Sequence, residues 1–492
     1  MSRIIIQNGN MCELDLPLKF AQKLYAEFAI RHPNAFYLRT RQRGMQNWDG
    51  KIHYVNKHGE FKIGLLPAVY EKCIEYGIKP KVVDMRQPLP KVNGVVTKIG
   101  EYKLRPEQEK AVKAVINNKV GKVPFQIGVL DYTVNAGKTL IMSSLYLSYK
   151  KQLKTLLITN DSDWLNQARD EFKKYLPGEQ ITFVQGKVLN WSNFTIGMVQ
   201  SISRNMRFYQ NELAKIDMVL VDEADQAGSK QYQNVLTRLF NTRVRIGLSG
   251  TIYMSKLAKD KVKNMNLEVF FGKVLAEFKL KDSIKKGYST RTIVKMVPSK
   301  PWYGNWESEE VSYKEVYDDS ITFNKYARRM VYSRLKWNLK QGRYPALVVC
   351  KFIAHCENLC KYFKKKLGSK YNIACVHVDT PSKIRQQIMK DFREGKIDIL
   401  VSTTIIARGK NFPKLRYLLN AASMDSQEKS IQFLGRLVRT DSSKKKVYLD
   451  DLHYPGPYLN RHGKHRKQYY QKQELKVILL EKIWKNHPIH SL

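Results

Sequence analysis

Acidic residues are the scarce class in this sequence. Asp and Glu number 44 against 86 Lys and Arg, so 492 residues carry a formal charge of +42. An excess of that size opposes compaction unless a polyanion shares it. Nucleic acid is the first partner to consider, and an anionic membrane surface the second. Cysteine is sparse as well. The six thiols, Cys12, Cys73, Cys350, Cys356, Cys360 and Cys375, include no Cys-x-x-Cys pair, which speaks against a zinc site. His355, Cys356 and Cys360 fall on one helical stretch and read as its apolar face. No apolar run reaches the roughly 20 residues that cross a bilayer, and nothing resembles a signal peptide. The expected setting is therefore a reducing, cytosol-like compartment with no membrane partner.

What is present centres on Thr133-Val134-Asn135-Ala136-Gly137-Lys138-Thr139. A buried strand is expected before it, over residues 124–130, and a helix after it, over residues 140–149. A strand, a tight loop ending in Gly-Lys-Thr and a helix form a cradle for a nucleotide triphosphate. Lys138 would reach the β and γ phosphates, and the Thr139 hydroxyl would ligate Mg²⁺. Tyr132 stands where the full pattern has glycine, so the pattern is relaxed. Upstream, Tyr102-Lys103-Leu104-Arg105-Pro106-Glu107-Gln108 opens a helix with proline in its first turn. Gln108 is placed to read an adenine edge, with Tyr102 or Arg105 near the base; a solvated Gln at a helix start is the other reading.

Strands and helices then alternate, as in a parallel α/β sheet. Residues 194–199 form a strand ending in Gln200-Ser201. Met218-Val219-Leu220-Val221 is a buried strand that delivers Asp222-Glu223-Ala224-Asp225 to its C-terminal end, where such sheets bind ligands. Asp222 would hold Mg²⁺ and Glu223 would polarise an attacking water. Ile246 to Thr251 is a further strand, ending in Ser249-Gly250-Thr251. Residues 321–339 read as one long helix, and a second alternating unit follows. Its loop of residues 403–413 contains Thr403, Gly409 and Asn411, and its helix of residues 427–439 carries Gln432, Arg436 and Arg439. Arg436 and Arg439 are three apart on that helix, a spacing that shares a face. Presented to a bound nucleotide they would act as arginine fingers.

In order and spacing these segments resemble the motifs of superfamily 2 helicases. Residues 133–139 are similar to motif I, 222–225 to motif II, 249–251 to motif III, 399–413 to motif V and 432–439 to motif VI. Asn47-Trp48-Asp49-Gly50 and Ile63-Gly64-Leu65-Leu66 further resemble the phage recombination helicases of the UvsW group. Motif II spells Asp-Glu-Ala-Asp as in DEAD-box RNA helicases, yet Ser249-Gly250-Thr251 and Gln432 depart from that group. In motif V, Asn411 stands in place of an aspartate. No four-cysteine cluster lies between Lys138 and Asp222, which sets aside the iron–sulfur helicases.

The resemblance implies an α/β protein of two tandem RecA-like (P-loop NTPase) domains, residues 100–285 and 286–445. A small N-terminal α+β domain, residues 1–95, and a basic C-terminal tail or helix, residues 446–492, flank them. It implies ATP and Mg²⁺ as cofactors, the ATP lying between the two domains. Catalysis would fall to Glu223, Lys138, Arg436, Arg439 and Gln432. The nucleotide would be held by Arg105, Gln108, Asn135, Ala136, Gly137, Lys138, Thr139, Gly409 and Asn411, and the metal by Thr139 and Asp222. The partner would be DNA, branched or duplex, with RNA as the alternative polymer. Arg41, Arg43, Trp48, Gln200 and Thr403 are the candidate contacts. The chain is taken as a monomer in the cytoplasm, of the host cell if phage-encoded, with recombination or replication proteins as further partners. Arg461 to Lys467, with Tyr469 and Tyr470, are expected to add electrostatic contact from the tail, and residues 473–484 to close it as a helix.

Overall fold

The structure, a computed structural model, describes residues 2–480 apart from 42–43, 187–189, 253–257, 300–310, 408–411 and 442. The chain divides into two compact units, Met1–Phe278 and Lys279–Leu492. Each holds a seven-stranded sheet. Across the first the strands run Ile181–Val184, Phe194–Met198, Thr155–Thr159, Met218–Asp222, Val244–Ser249, Ile127–Tyr132 and Val274–Phe278. Across the second they run Ile373–Val376, Ile399–Ser402, Ala346–Val349, Tyr417–Asn420, Lys446–His453, Arg291–Pro298 and Val477–Leu479. With each sheet's strands numbered in its own chain order, both read 3-4-2-5-6-1-7. All of these pairings are parallel. Strands covered on both faces need apolar residues at nearly every position, which is why Met218–Asp222 and Ala346–Val349 are unbroken buried runs.

The duplicated order changes how the C-terminal residues are read. Lys446–His453 is the sixth strand of the second sheet, flanked on both sides, and Val477–Leu479 is its seventh. The segment expected as a basic tail is thus built into the sheet up to Leu480. Of the helix expected over residues 473–484, the part 477–479 is strand, and residues 481–492 lie outside the described residues. The helix Leu459–Lys472 packs beneath, with Arg466 and Tyr470 buried rather than offered to a polyanion.

One further boundary differs from expectation for a local reason. The long helix starts at Lys325, because the Asn324 side chain accepts from the Tyr326 and Ala327 amides at 2.9 and 3.0 Å, a strong N-cap. A separate π-helical turn, Asp318–Thr322, precedes it. Near the N-terminus, a turn closed by the Asn56 amide on the Glu60 carbonyl at 2.9 Å connects Lys51–His53 to Glu60–Lys62. The first pairs with Ala29–Arg31 and the second with Met11–Asp15, and a bridge from Val55 to Phe61 links them.

The N-terminal sheet runs Glu60–Lys62, Met11–Asp15, Arg3–Ile6 and Lys81–Asp84. Its apolar face shares one core with the first large sheet: Ile4, Phe61 and Val69 belong to the same cluster as Ile127, Leu239 and Phe271. Fully buried Arg245 donates from Nη2 to the Gly9 carbonyl at 2.7 Å and to Asn10 Oδ1 at 2.8 Å. Gly64 lies against the helix Ala258–Phe271 so closely that a Cβ would stand 2.2 Å from the Glu268 carbonyl oxygen. That contact is the physical content of the Ile63-Gly64-Leu65 stretch.

Candidate nucleotide site and nucleic-acid contacts

The strand Ile127–Tyr132 ends in a loop that turns twice through left-handed backbone, at Asn135 (φ 63°) and Gly137 (φ 72°). The helix Lys138–Ser148 starts immediately after it. Such a loop turns successive backbone N–H groups toward one point, and the helix N-terminus adds its dipole. The first turn of the preceding helix, Pro106–Ile116, braces the loop. Gln108 Nε2 donates to the Ala136 carbonyl at 2.9 Å, and Arg105 Nη2 to the Asn135 carbonyl at 3.1 Å. Gln108 Oε1 accepts from the Arg105 amide at 2.8 Å, so both polar ends of its side chain serve the protein itself. These bonds give Gln108 a bracing role for the loop. The left-handed backbone at 137 favours glycine, and a Cβ there would press on Gln108 Nε2, 2.3 Å away.

The strand Met218–Asp222 brings its acids to the same sheet edge. Lys138 Nζ lies 3.4 Å from Asp222 Oδ1 and 3.8 Å from Glu223 Oε1. Glu223 sits in left-handed backbone (φ 51°), a conformation rarely adopted by non-glycine residues and concentrated at functional sites. Burial opposes the Lys138 charge, but Glu223 and Asp222 outweigh it and hold the ammonium above its ordinary range. Burial raises the Asp222 carboxyl above the usual carboxylate range, with Lys138 pulling the other way. Ser249 links this edge to the next strand, its hydroxyl bonding Asp225 Oδ1 at 2.8 Å, Glu223 Oε2 at 3.3 Å and the Thr251 hydroxyl at 3.0 Å.

In the second unit the helix Gln427–Leu437 starts at a Ser426 cap, whose hydroxyl accepts from the Lys429 amide at 3.2 Å. Gln432 and Arg436 are half-buried on that helix. Arg439 lies one residue past the C-cap Val438, and Thr290 bonds the carbonyls of both. The shared helix face expected for Arg436 and Arg439 does not follow, since the helix stops at Leu437.

Two family models match the chain in tandem. Residues 101–254 match the res subunit of type III restriction enzymes, and residues 328–441 the helicase conserved C-terminal domain. The chain belongs to the superfamily 2 helicases. It is 21% identical over 431 residues to the ATP-dependent DNA helicase uvsW of Enterobacteria phage T4, covering 82% of each chain. It is 24% identical over 377 residues to IRC3 of Saccharomyces cerevisiae, provisionally named an ATP-dependent helicase; the match covers 71% of this chain and 51% of that one. The chain thus spans about half the length of this yeast relative. In fold it is similar to the yeast protein Dbp5 bound to RNA and ADP BeF3, with a TM-score of 0.53, 14% identity, and coverage of 77% of this chain and 90% of that one.

For this superfamily 2 helicase the residues fit a magnesium nucleotide. Asp222 Oδ1 is buried 3.4 Å from the Lys138 ammonium, and Thr139 follows Lys138 in the first turn of the helix. A carboxylate and a hydroxyl are the oxygen donors that a hard cation seeks. Of the residues assigned to the nucleotide, Gly409 and Asn411 lie outside the described residues.

The nucleic-acid candidates belong to both units. Arg41 places its guanidinium over the Tyr37 ring, 5.0 Å from the centroid, and Arg43 lies outside the described residues. Trp48 is half-buried, and its indole N–H donates to the Lys51 carbonyl at 2.9 Å, so it secures a turn. Gln200 donates to the Asn160 carbonyl at 3.3 Å. Thr403 is buried, with its hydroxyl unsatisfied, and points into the second unit instead of outward. Sequence reasoning passed over a second tier of the helicase. His465 and Tyr469 both bond Asp425 Oδ1 at 3.0 Å, directly before the Ser426 cap.

Proposed function

We propose that this chain is an ATP-dependent DNA helicase or translocase that remodels branched DNA: forks, Holliday junctions, D-loops or R-loops. The observation that carries the ATPase part is the meeting of Lys138, Asp222 and Glu223 within 3.8 Å at the edge of one sheet, above a left-handed phosphate loop. When bound, Mg²⁺·ATP supplies a phosphoanhydride whose hydrolysis releases the free energy for movement. Lys138 would neutralise phosphate charge, exchanging its carboxylate partners for phosphate oxygens. Thr139 and Asp222 would hold the cation. Glu223 would orient and polarise water, and Ser249 and Asp225 would fix its position. Arg436, Arg439 and Gln432 of the second unit would take part in hydrolysis, so turnover would need that unit.

The DNA part of the reading is supported by the relative uvsW, matched over most of both chains, and by the restriction-enzyme family model. The charge of +42 supports a polyanionic partner of either chemistry. The test is ATP turnover with no polymer, single-stranded DNA, duplex, a four-way junction and RNA. Junction or other DNA stimulation that disappears in Glu223→Gln is the expected result. Stimulation by RNA alone would replace DNA by RNA in the proposal. Turnover indifferent to every polymer, or binding with no turnover at all, would leave a basic binding protein instead.

A further inference from the structure

The short helix Ala35–Arg41 buries Ala35 and turns most of its other side chains outward. Phe36 is 80% exposed, the highest value among the large apolar side chains described, and Tyr37 is 53% exposed. Leaving a phenylalanine in water forgoes most of the gain of burying it, so an aromatic this bare is informative when its surroundings are specific. Here they are. Phe36 forms one wall of a concave cleft with Arg31, Arg39, Thr40, Gln46 and Lys51 around it. The floor is Ala35 against Gly50, where a Cβ would come within 3.1 Å of the Ala35 Cβ, so glycine keeps it flat.

The opposite rim is a stiff turn. Asp49 accepts from the Lys51 amide at 2.9 Å and from His53 Nε2 at 2.7 Å, and Trp48 closes the turn through the Lys51 carbonyl. His32 meets the Trp48 ring edge-on, and its amide donates to the Gly50 carbonyl at 2.8 Å. The one carboxylate on the rim is thus engaged within the turn, while Arg31, Arg39 and Lys51 are exposed cations. A bare ring flanked by cations and two amphoteric polar groups matches one ligand chemistry: a flat heteroaromatic ring on an anionic backbone.

We infer that this cleft is a stacking subsite for an unpaired base of a nucleic-acid strand, with Phe36 as the platform and Arg31, Arg39 and Lys51 on the flanking phosphates. A duplex suits the observation less well. Its bases already cover one another's faces, so a protruding ring meets a base face only by unstacking a step, whereas an unpaired base gains a stacking partner without that cost. The inference deepens the proposed function, on which it rests. It places a grip on single-stranded arms in the N-terminal part of the chain, and the aromatic that grips is Phe36 rather than Trp48.

The test is fluorescence anisotropy of the full chain with an oligothymidine and with a blunt duplex of equal length, at one salt concentration and without nucleotide. Stacking on one base is worth about 1–3 kcal/mol, so Phe36→Ala should weaken oligothymidine binding about 5- to 150-fold. Duplex affinity should stay within about twofold. Phe36→Trp should restore binding and Phe36→Leu should not, because only the former keeps a π-face. The slope of log affinity against log salt should be the same in all four proteins, since no cation is removed. Equal loss on both polymers, rescue by leucine, or no loss on either would each overturn the inference; the last would leave Phe36 to a protein partner. Wild-type binding to neither polymer would instead overturn the nucleic-acid reading itself.

Discussion

Replacing Arg466 with leucine should open the second sheet at an interior strand, Lys446–His453. Arg466 is wholly buried in the helix Leu459–Lys472, and its Nε donates to both Asp451 oxygens, at 2.9 and 3.1 Å. Its two terminal nitrogens reach the carbonyls of Met424 and Leu452 at 3.1 and 2.8 Å. Asp451 keeps two neutral donors in the variant, Tyr470 at 2.7 Å and Asn420 at 2.8 Å, but loses its cation. Removing one partner of a buried pair costs about 3–5 kcal/mol, because the other charge stays behind uncompensated. At roughly tenfold per 1.4 kcal/mol, amide exchange across Lys446–His453 should accelerate by about two to three and a half decades. Hydrogen exchange read by mass spectrometry on that peptide is the assay. Met424 stands two residues before the Ser426 cap, so the Gln427–Leu437 peptide should loosen with it. The double variant Asp451→Asn, Arg466→Leu should be protected better than Arg466→Leu alone. Protection of the single variant within threefold of wild type, or a double variant worse than the single, would refute the reasoning.

Lys138→Ala should abolish ATP turnover, a loss of at least about 10²-fold, while DNA affinity measured without nucleotide stays within about twofold; equal loss of binding in a folded variant would count against the assignment. Gly64→Ala should lower the melting temperature of the first unit by about 2–12 °C, since the new Cβ meets helix backbone that cannot swing aside; scanning calorimetry checks it. Burial pushes the His355 imidazole down to about 3 from 6.5, and its Nδ1 contacts the Tyr317 hydroxyl at 2.9 Å. The unfolded chain takes up that proton first, so stability is complete above about pH 6.5 and falls as pH drops toward 3. His355→Gln should flatten that part of a urea-midpoint against pH curve, and an unchanged curve would remove His355 as the cause. Affinity for duplex should fall linearly on a log–log salt plot, each neutralised phosphate adding about 0.9 to the slope, and a flat plot would detach the charge of the chain from nucleic acid.

Sequence alone was enough for the tandem α/β architecture and for the residues that face each other across one sheet edge. The reason is that the signals there are contiguous. An unbroken run such as Met218-Val219-Leu220-Val221 admits a strand buried on both faces, and Asp222 and Glu223 then leave it at the end where parallel sheets expose their loops. Gly137 ahead of Lys138 and Thr139 is likewise a local backbone requirement.

Tertiary structure decided whatever depends on a partner distant in sequence. Asp450 and Asp451 look like one acidic pair, yet successive strand residues face opposite layers. Asp450 meets Arg334 of the helix Lys325–Lys340 at 2.7 Å, and Asp451 meets Arg466 of the helix Leu459–Lys472. A charge-rich strand therefore stands inside a sheet where composition suggested a tail. Arg245 is similar: nothing near it in sequence announces that the Gly9 carbonyl and Asn10, 236 and 235 residues away, will accept from its Nη2 and join the N-terminal sheet to the first core. Composition reports how much charge a chain carries. Only the fold assigns each charge to solvent or to a buried counterpart, because that assignment rests on distances that sequence separation does not encode.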